Sequence, residues 1–136
     1  SDTARRVYDI TFDVIDETGE TVTKFLELKN WSIVWESSLK NQFVKDLENM
    51  TALGSHIWIF NKQGVIQDIN KLRENVLKAL KKADDTPIDE LGELLTKSGV
   101  KEKLKVVFGE GVDTPTKLLD ELNKPEIFNQ IFEIVE

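Results

Sequence analysis

Cysteine is absent from this 136-residue chain and histidine occurs only once. Without cysteine the chain has no disulfides, iron–sulfur clusters or thiolate zinc sites. The single histidine, His56, argues against a serine–histidine triad and against a histidine-rich metal site. It follows Gly54 and Ser55, and we expect it to begin a strand and not to act as a catalyst.

Long apolar runs are missing as well. None approaches the ~20 residues that a bilayer-spanning helix needs, and no signal-peptide pattern opens the chain. The composition, 40% hydrophobic and 32% charged, is that of an ordinary soluble protein. We expect one domain over residues 1–136 without a membrane partner, with a core at 7–82 and a mostly helical C-terminal extension at 84–136.

Positive charge is in the minority, and its distribution is uneven. The net charge is −7, yet residues 24–82 carry ten basic and six acidic side chains. Residues 1–23 carry two basic and six acidic side chains, and residues 83–136 carry six and thirteen. The acidic total argues against a nucleic-acid partner, whereas the basic middle is compatible with a local positive surface. The same total also fits a protein that is held by a partner.

A β-hairpin is the most informative feature, within residues 7–31. Two segments with alternating apolar side chains lie on either side of the loop Glu17-Thr18-Gly19. Gly19 can take the positive φ that three-residue hairpin loops favour. The sequence therefore predicts that the loop closes with Asp16 facing Glu20.

This register sorts the hairpin side chains onto two faces. Asp9 falls opposite Glu27 and Val7 falls opposite Lys29, so three ionisable groups share one patch. On the opposite face of the hairpin the register brings apolar side chains together in pairs: Tyr8 with Leu28, Ile10 with Leu26, and Val14 with Val22. One face is apolar and the other carries the charge, and a slip by one residue would mix them.

An Asp in one strand, a Glu-x-Lys in the next and a following helix resemble the PD-(D/E)xK nuclease superfamily, the fold of restriction endonucleases and of many bacterial toxin nucleases. The matching residues are Asp9, Glu27, Lys29 and, on the helix, Gln42. The resemblance implies that Asp9 and Glu27 hold Mg²⁺ or another divalent metal, that Lys29 positions or activates the attacking water, and that Gln42 supports catalysis. Carboxylates are hard oxygen ligands of the kind that Mg²⁺ prefers. A lysine two residues after the Glu points the same way on a strand and can stabilise the charge of the reacting phosphate.

Other interpretations of the same residues stay open. Tyr8 stands where many family members have a proline before the Asp. Glu27 and Lys29 could instead be solvated residues on the open face of a hairpin, paired across the strands or not at all. Asp13 lies on the same face as Asp9 and would be the ligand if the register differed, although a solvated charge near the turn is the simpler interpretation.

The rest of the core region is predicted from hydrophobic periodicity. A helix spans Trp35 to Leu53, with Gly54 as its stop. It has one apolar stripe and three polar residues off that stripe: Leu39, Phe43, Leu47 and Met50 on the stripe, and Gln42, Lys45 and Asp46 off it. His56 to Asn61 reads as a strand covered on both sides, with Trp58 in the core, and Ile66 to Lys82 reads as a helix with a basic face.

Beyond Ala83 most signals are helical. Helices are predicted to begin at Thr86-Pro87, Thr114-Pro115 and Asn123-Lys124-Pro125, and the last carries the apolar C-terminal residues onto the core. Lys103 to Phe108 is predicted as a strand from its weak Lys–Val alternation. The expected fold is α/β (α+β), a mixed central sheet opened by a β-hairpin and flanked by helices, with a restriction-endonuclease-like core and a helical C-terminal portion.

The functional expectation is a metal-dependent endonuclease that hydrolyses phosphodiester bonds in DNA or tRNA. Lys40, Lys45 and Trp31 are candidate nucleic-acid contacts. By its size and layout the chain resembles the C-terminal toxin module of a bacterial contact-dependent growth inhibition or related polymorphic toxin system. Such a module is delivered as part of a larger toxin, acts in the cytoplasm of a target cell and is neutralised by a cognate immunity protein. The alternatives are a non-catalytic acidic binding protein, such as an immunity protein, and an inactive structural domain of the same fold.

Overall fold

The computed structural model describes residues 10–29, 34, 36–62 and 67–135. Its strands are β1 (Ile10–Ile15), β2 (Thr21–Lys29), β3 (His56–Asn61) and β4 (Phe132–Val135). Its helices are α1 (Glu36–Ser38), α2 (Val44–Asn49), α3 (Ile69–Ala79), α4 (Asp89–Thr96), α5 (Val100–Phe108), α6 (Pro115–Leu122) and α7 (Pro125–Phe128), and a π-helical segment, Leu39–Phe43, joins α1 to α2. Among these helices none is long and apolar enough to cross a bilayer.

The strands form one mixed sheet in the order β1-β2-β3-β4. The hairpin strands β1 and β2 are antiparallel, whereas β2, β3 and β4 run parallel to one another. The predicted mixed sheet opened by a hairpin and flanked by helices is confirmed. Because β2, β3 and β4 are parallel, their carboxyl ends meet at one edge of the sheet, the edge where open α/β sheets place their sites.

The hairpin register is the predicted one over the described pairs. Ile10 lies opposite Leu26 and Val14 lies opposite Val22. The amide of Asp16 donates to the carbonyl of Glu20 at 2.9 Å, which closes the loop as expected. Gly19 has a φ of +86°, the left-handed conformation for which glycine is suited.

The two faces of the sheet differ in burial. One face, which we call the covered face, carries Glu27 and Lys29 of β2 beside Trp58 and Phe60 of β3. The opposite face, which we call the outer face, carries Ile10, Phe12 and Leu28, exposed by 43%, 41% and 48%. The charged pair Glu27 and Lys29 thus lies on the covered side of β2, whereas the apolar side chains of the opposite side meet solvent. β3 was expected to be covered on both sides. Only one side is fully covered, since Ile57 and Ile59 on the outer face are partly exposed.

One helical run, residues 36–49, packs on the covered face. Its apolar stripe is confirmed, since the four predicted residues are fully buried: Leu39, Phe43, Leu47 and Met50. The run ends at Asn49, before the predicted stop, because Met50 already has an extended backbone. Asp46 was expected off the stripe, yet it is 0% exposed. Its carboxylate is held in the interior by the indole N–H of Trp58.

Two C-terminal predictions are wrong. Residues 103–108 are helical, within α5, because Val100, Leu104 and Val107 bury one helical face that the Lys–Val alternation concealed. Phe132–Val135 forms strand β4, which pairs in parallel with β3, and does not continue a helix. Phe132 does pack on the core as expected, at 1% exposed, whereas Val135 is 42% exposed. The pairing partner lies some seventy residues earlier in the chain, so local periodicity does not reveal it.

The predicted helix starts are confirmed with small shifts. Thr114 caps α6, its Oγ1 accepting from the amide of Lys117 at 3.2 Å, and Pro115 occupies the first turn. Pro125 opens α7 in the same way. The helix expected at Thr86-Pro87 begins at Asp89, since Thr86 instead hydrogen-bonds Asp84 in the preceding turn.

Candidate functional site

Three of the residues singled out from the sequence come together on the covered face, at the carboxyl end of β2. Lys29 Nζ lies 2.9 Å from Glu27 Oε2 and donates to Gln42 Oε1 at 2.9 Å. The side chains of Glu27 and Lys29 are each only 10% exposed. Asp9, the expected second metal ligand, and Trp31, a candidate nucleic-acid contact, lie outside the described residues.

Local geometry explains why Glu27 and Lys29 meet. Residues two apart on a strand project from the same face, so the pair is set by the strand itself. The interpretation of these residues as solvated charges on an open face is wrong, because the face is covered. A charge-assisted contact in such surroundings is stronger than a surface pair, and removal of either partner leaves the other charge buried.

Gln42 reaches Lys29 from the π-helical segment. The amide of Val44 bonds the carbonyl of Leu39, five residues earlier, which widens the helix at this turn. π-Helical turns are rare and are frequent at functional sites, because they redirect a side chain that a regular α-helix would point elsewhere. The glutamine carbonyl therefore fixes the ammonium from the helix side while Glu27 fixes it from the sheet side.

Below the ammonium lies a second pair that sequence reasoning missed. Lys29 Nζ is 5.2 Å from the centroid of the Trp58 ring, within cation–π range. The indole Nε1–H of Trp58 donates to Asp46 Oδ2 at 2.6 Å. Asp46 lies four residues after Gln42, so the two share one side of the helical run, and that spacing was a signal in the sequence. The pairing of Glu27 with Trp58 across parallel strands carried no such signal.

The residues around Lys29 carry more negative than positive charge. The Lys29 cluster, by which we mean Glu27, Lys29, Gln42, Asp46 and Trp58, contains two carboxylates and one ammonium. Carboxylate and amide oxygens are ligands that a hard divalent cation accepts, so the donor set fits Mg²⁺ in kind. Among the described residues, however, no three His, Asp or Glu side chains are grouped closely enough to hold a metal ion. A complete site would need Asp9, which was expected to supply the second carboxylate.

The predicted nucleic-acid contacts are placed less centrally. Lys40 pairs with Glu36 one turn earlier, Nζ to Oε1 3.0 Å, and that hydrogen bond raises the pKa of Lys40 above its usual value. Lys45 is partly buried on α2. Asp13, the alternative ligand, accepts a 2.8 Å hydrogen bond from Thr23 Oγ1 at the solvent-exposed part of the hairpin. This contact fits the simpler interpretation of Asp13 as an exposed charge.

His56 begins β3, as predicted. It is 1% exposed, its ring stacks on Phe25 with centroids 4.6 Å apart, and Nδ1 lies 3.0 Å from Ser55 Oγ. It occupies the covered face two residues before Trp58 and so belongs to the packing between sheet and helix.

Comparison with known proteins adds no further constraint. No protein-family model, curated protein or solved structure matches the chain. The interpretation of the site therefore depends on its own geometry and on the resemblance of Asp9, Glu27 and Lys29 to the nuclease pattern.

Proposed function

We propose that this chain is a metal-dependent endonuclease of the PD-(D/E)xK type that hydrolyses phosphodiester bonds in DNA or tRNA. The observation that supports it most is the buried ammonium of Lys29, held 2.9 Å from Glu27 and 2.9 Å from Gln42 at the carboxyl end of a parallel strand. Hydrolysis of a phosphodiester needs a fixed positive charge where negative charge develops. A lysine that is oriented by two partners before substrate arrives meets that need.

Each residue of the site has a separate task in this proposal. Lys29 orients the attacking water and stabilises the charge on the phosphate oxygens. Gln42 orients the Lys29 ammonium by accepting a hydrogen bond from it, and the covered face keeps bulk water away from the ammonium. Glu27, together with Asp9, would hold Mg²⁺, which when bound polarises the phosphate and lowers the pKa of a coordinated water.

The charge distribution supports a nucleic-acid substrate only near the site. Residues 24–82, with ten basic and six acidic side chains, include the Lys29 cluster and Lys40, whose side chain is 32% exposed. Both flanking regions are acidic, so weak non-specific binding to nucleic acid is expected. Such a chain fits the proposed toxin module, delivered within a larger protein and neutralised by a basic or mixed-charge immunity protein.

Cleavage assays test this function directly. The purified chain is incubated with plasmid DNA and with total RNA, in Mg²⁺ and in chelator. We expect cutting of one substrate class that requires the metal, and its loss in Glu27→Ala. Glu126→Ala, an exposed carboxylate on α7, is the control and keeps full activity. Absence of cutting by the folded wild-type chain under every condition would reject the proposal.

A second candidate function is a non-catalytic binding protein. The exposed apolar side chains Ile10, Phe12 and Leu28 on the outer face favour it, because exposed apolar patches mark interaction sites. This candidate predicts a stable complex with a partner protein and no cleavage of either nucleic acid. Substitution of Glu27 would then leave partner binding unchanged, provided that the fold is retained.

A further inference from the structure

Trp58 lies between two charged side chains of the site and contacts both in different ways. The centroid of its ring is 5.2 Å from Lys29 Nζ, and its Nε1–H donates to Asp46 Oδ2 at 2.6 Å. Trp58 and Asp46 are both 0% exposed. The indole is therefore a rigid connection between a buried carboxylate on α2 and the ammonium at the end of β2.

The orientation of the indole depends on both packing and that hydrogen bond. Phe43 meets the ring edge-on, with centroids 5.8 Å apart and planes at 90°, and Phe132 packs with its centroid 6.1 Å away. Aromatic contacts of this kind favour certain ring arrangements but have no single donor–acceptor axis. The 2.6 Å bond to Asp46 adds such an axis, because an indole has one donor, and here it points at the carboxylate.

Lys29 needs such a platform because its side chain is long and flexible. Glu27 and Gln42 attract the ammonium from two sides, but neither restricts the carbon stem that leads to it. The ring face beneath the ammonium restricts its height above the sheet and adds cation–π attraction.

We infer that Asp46 is a positioning residue that acts through Trp58 to hold Lys29 in the geometry used for phosphodiester hydrolysis, an inference that rests on the proposed nuclease function. Asp46 itself touches neither substrate nor metal in this scheme. Its effect is transmitted by the tilt of the indole. An Asp46 that served stability alone would affect unfolding but not the placement of the ammonium.

Nuclear magnetic resonance of the full 136-residue chain measures that placement without any substrate. Protons on the Lys29 stem next to Nζ, held over the indole face, should resonate upfield of those of exposed lysines. The Trp58 indole proton should exchange slowly with solvent because it is buried and bonded to a carboxylate. An unshifted Lys29 signal in the wild-type chain would already overturn the inference, whatever the variants do.

Two substitutions of Asp46 separate positioning from stability. Asp46→Asn keeps an acceptor oxygen for the indole, so the upfield shift of Lys29 should survive. Asp46→Leu fills the space without an acceptor, so the shift should collapse. Leu47→Val, a change at the neighbouring buried position of α2, is the control and should leave the Lys29 signal unmoved even where it lowers stability. An unchanged Lys29 signal in folded Asp46→Leu would refute the inference.

Trp58→Phe provides an independent check that Asp46 acts on Lys29 through the Trp58 indole. A phenyl ring has no N–H for Asp46 to hold, so adding Asp46→Leu to Trp58→Phe should produce no further change at Lys29. A further change of the same size as in the wild-type background would show that Asp46 acts by another path.

Cleavage kinetics then connect the geometry to function. In Asp46→Leu we expect kcat to fall by roughly ten- to a hundredfold with KM little changed, the signature of a misplaced catalytic group. Asp46→Asn should retain most of the activity. If the wild-type chain cleaves nothing, the nuclease proposal fails, while the resonance experiment still decides whether Asp46 positions Lys29. If kcat in Asp46→Leu equals that of the wild type, the positioning role is rejected although the nuclease function stands.

Discussion

Glu27 lies directly beside Trp58 across the parallel pair of β2 and β3, so a carboxylate shares the covered face with the largest side chain of the core. This neighbour relationship accounts for the low exposure of the Glu27–Lys29 pair. The pair therefore belongs to the folded core and is not an exposed ion pair on the hairpin surface. Substitutions at the site are therefore expected to affect stability as well as activity.

Breaking the Glu27–Lys29 pair should destabilise the fold. Glu27→Gln leaves the Lys29 ammonium buried without its carboxylate, and loss of one partner of a buried pair costs about 3 kcal/mol. Glu27→Gln combined with Lys29→Met removes both charges and should recover most of the loss. Urea unfolding of the single and double variants measures the difference. Equal stability of Glu27→Gln and the wild type would mean that the pair is solvated.

Gln42 should matter for activity as well as for stability. Gln42→Ala removes one acceptor from Lys29, and a hydrogen bond to a charged group contributes about 2 kcal/mol to the free energy of unfolding. Without this acceptor the ammonium should lose orientation, and kcat should fall by roughly tenfold. Asn41→Ala, at the exposed neighbouring position, is the matched control. If the proposed cleavage is observed and Gln42→Ala leaves its kcat unaltered, the positioning role of the π-helical segment is contradicted.

The two sheet faces should respond differently to polar or truncated side chains. Phe60→Ala on the covered face, at 0% exposure, is expected to cost about 4 kcal/mol. Leu28→Lys on the outer face, at 48% exposure, should change the free energy of unfolding by about 0.5 kcal/mol or less. Urea unfolding of both variants checks this contrast. A large loss in Leu28→Lys would indicate that the outer face is buried in the folded chain.

Acid should weaken the hairpin turn through Asp16. Its carboxylate accepts from the Thr18 hydroxyl at 2.6 Å and from the amides of Thr18 and Glu20 at 2.9 and 3.0 Å. These bonds, chiefly that from the Thr18 side chain, hold the pKa of Asp16 below its ordinary value of 3.8. Because the folded pKa is below the unfolded one, the stabilisation is complete above the unfolded value and is lost as pH falls through the folded value.

The matched variant for that effect is Asp16→Asn. It keeps a side-chain oxygen but no titrating charge, so the stability difference from the wild type should shrink as pH is lowered below 3.8. Urea midpoints at neutral pH and in this acid range test it. A difference that stays constant with pH would show that the Asp16 charge is not what stabilises the turn.

Prediction from sequence succeeded where the determining forces are local. The register between Asp16 and Glu20 follows from turn length and a glycine with positive φ, both encoded within five residues. The buried stripe of the 36–49 helix follows from its period. The meeting of Glu27 with Lys29 follows from the two-residue repeat of a strand.

Prediction failed where a distant partner decided the outcome. Asp46 was placed off the apolar stripe, and its burial was missed because the Trp58 indole that binds it lies 12 residues away on another element. Strand β4 was missed because its order depends on pairing with β3.

The amino-acid sequence by itself determined which side chains of the hairpin share a face, since alternation along a strand is a property of the backbone. Only the tertiary structure decided which of those faces is covered. Either face of the hairpin could have been the buried one. The parallel pairing with β3 decides it, because Trp58 and Phe60 lie on the face that holds Glu27 and Lys29, and the helical run packs against them. The free energy gained by burying apolar surface comes from contacts between segments far apart in the chain. No single segment therefore specifies which face is buried.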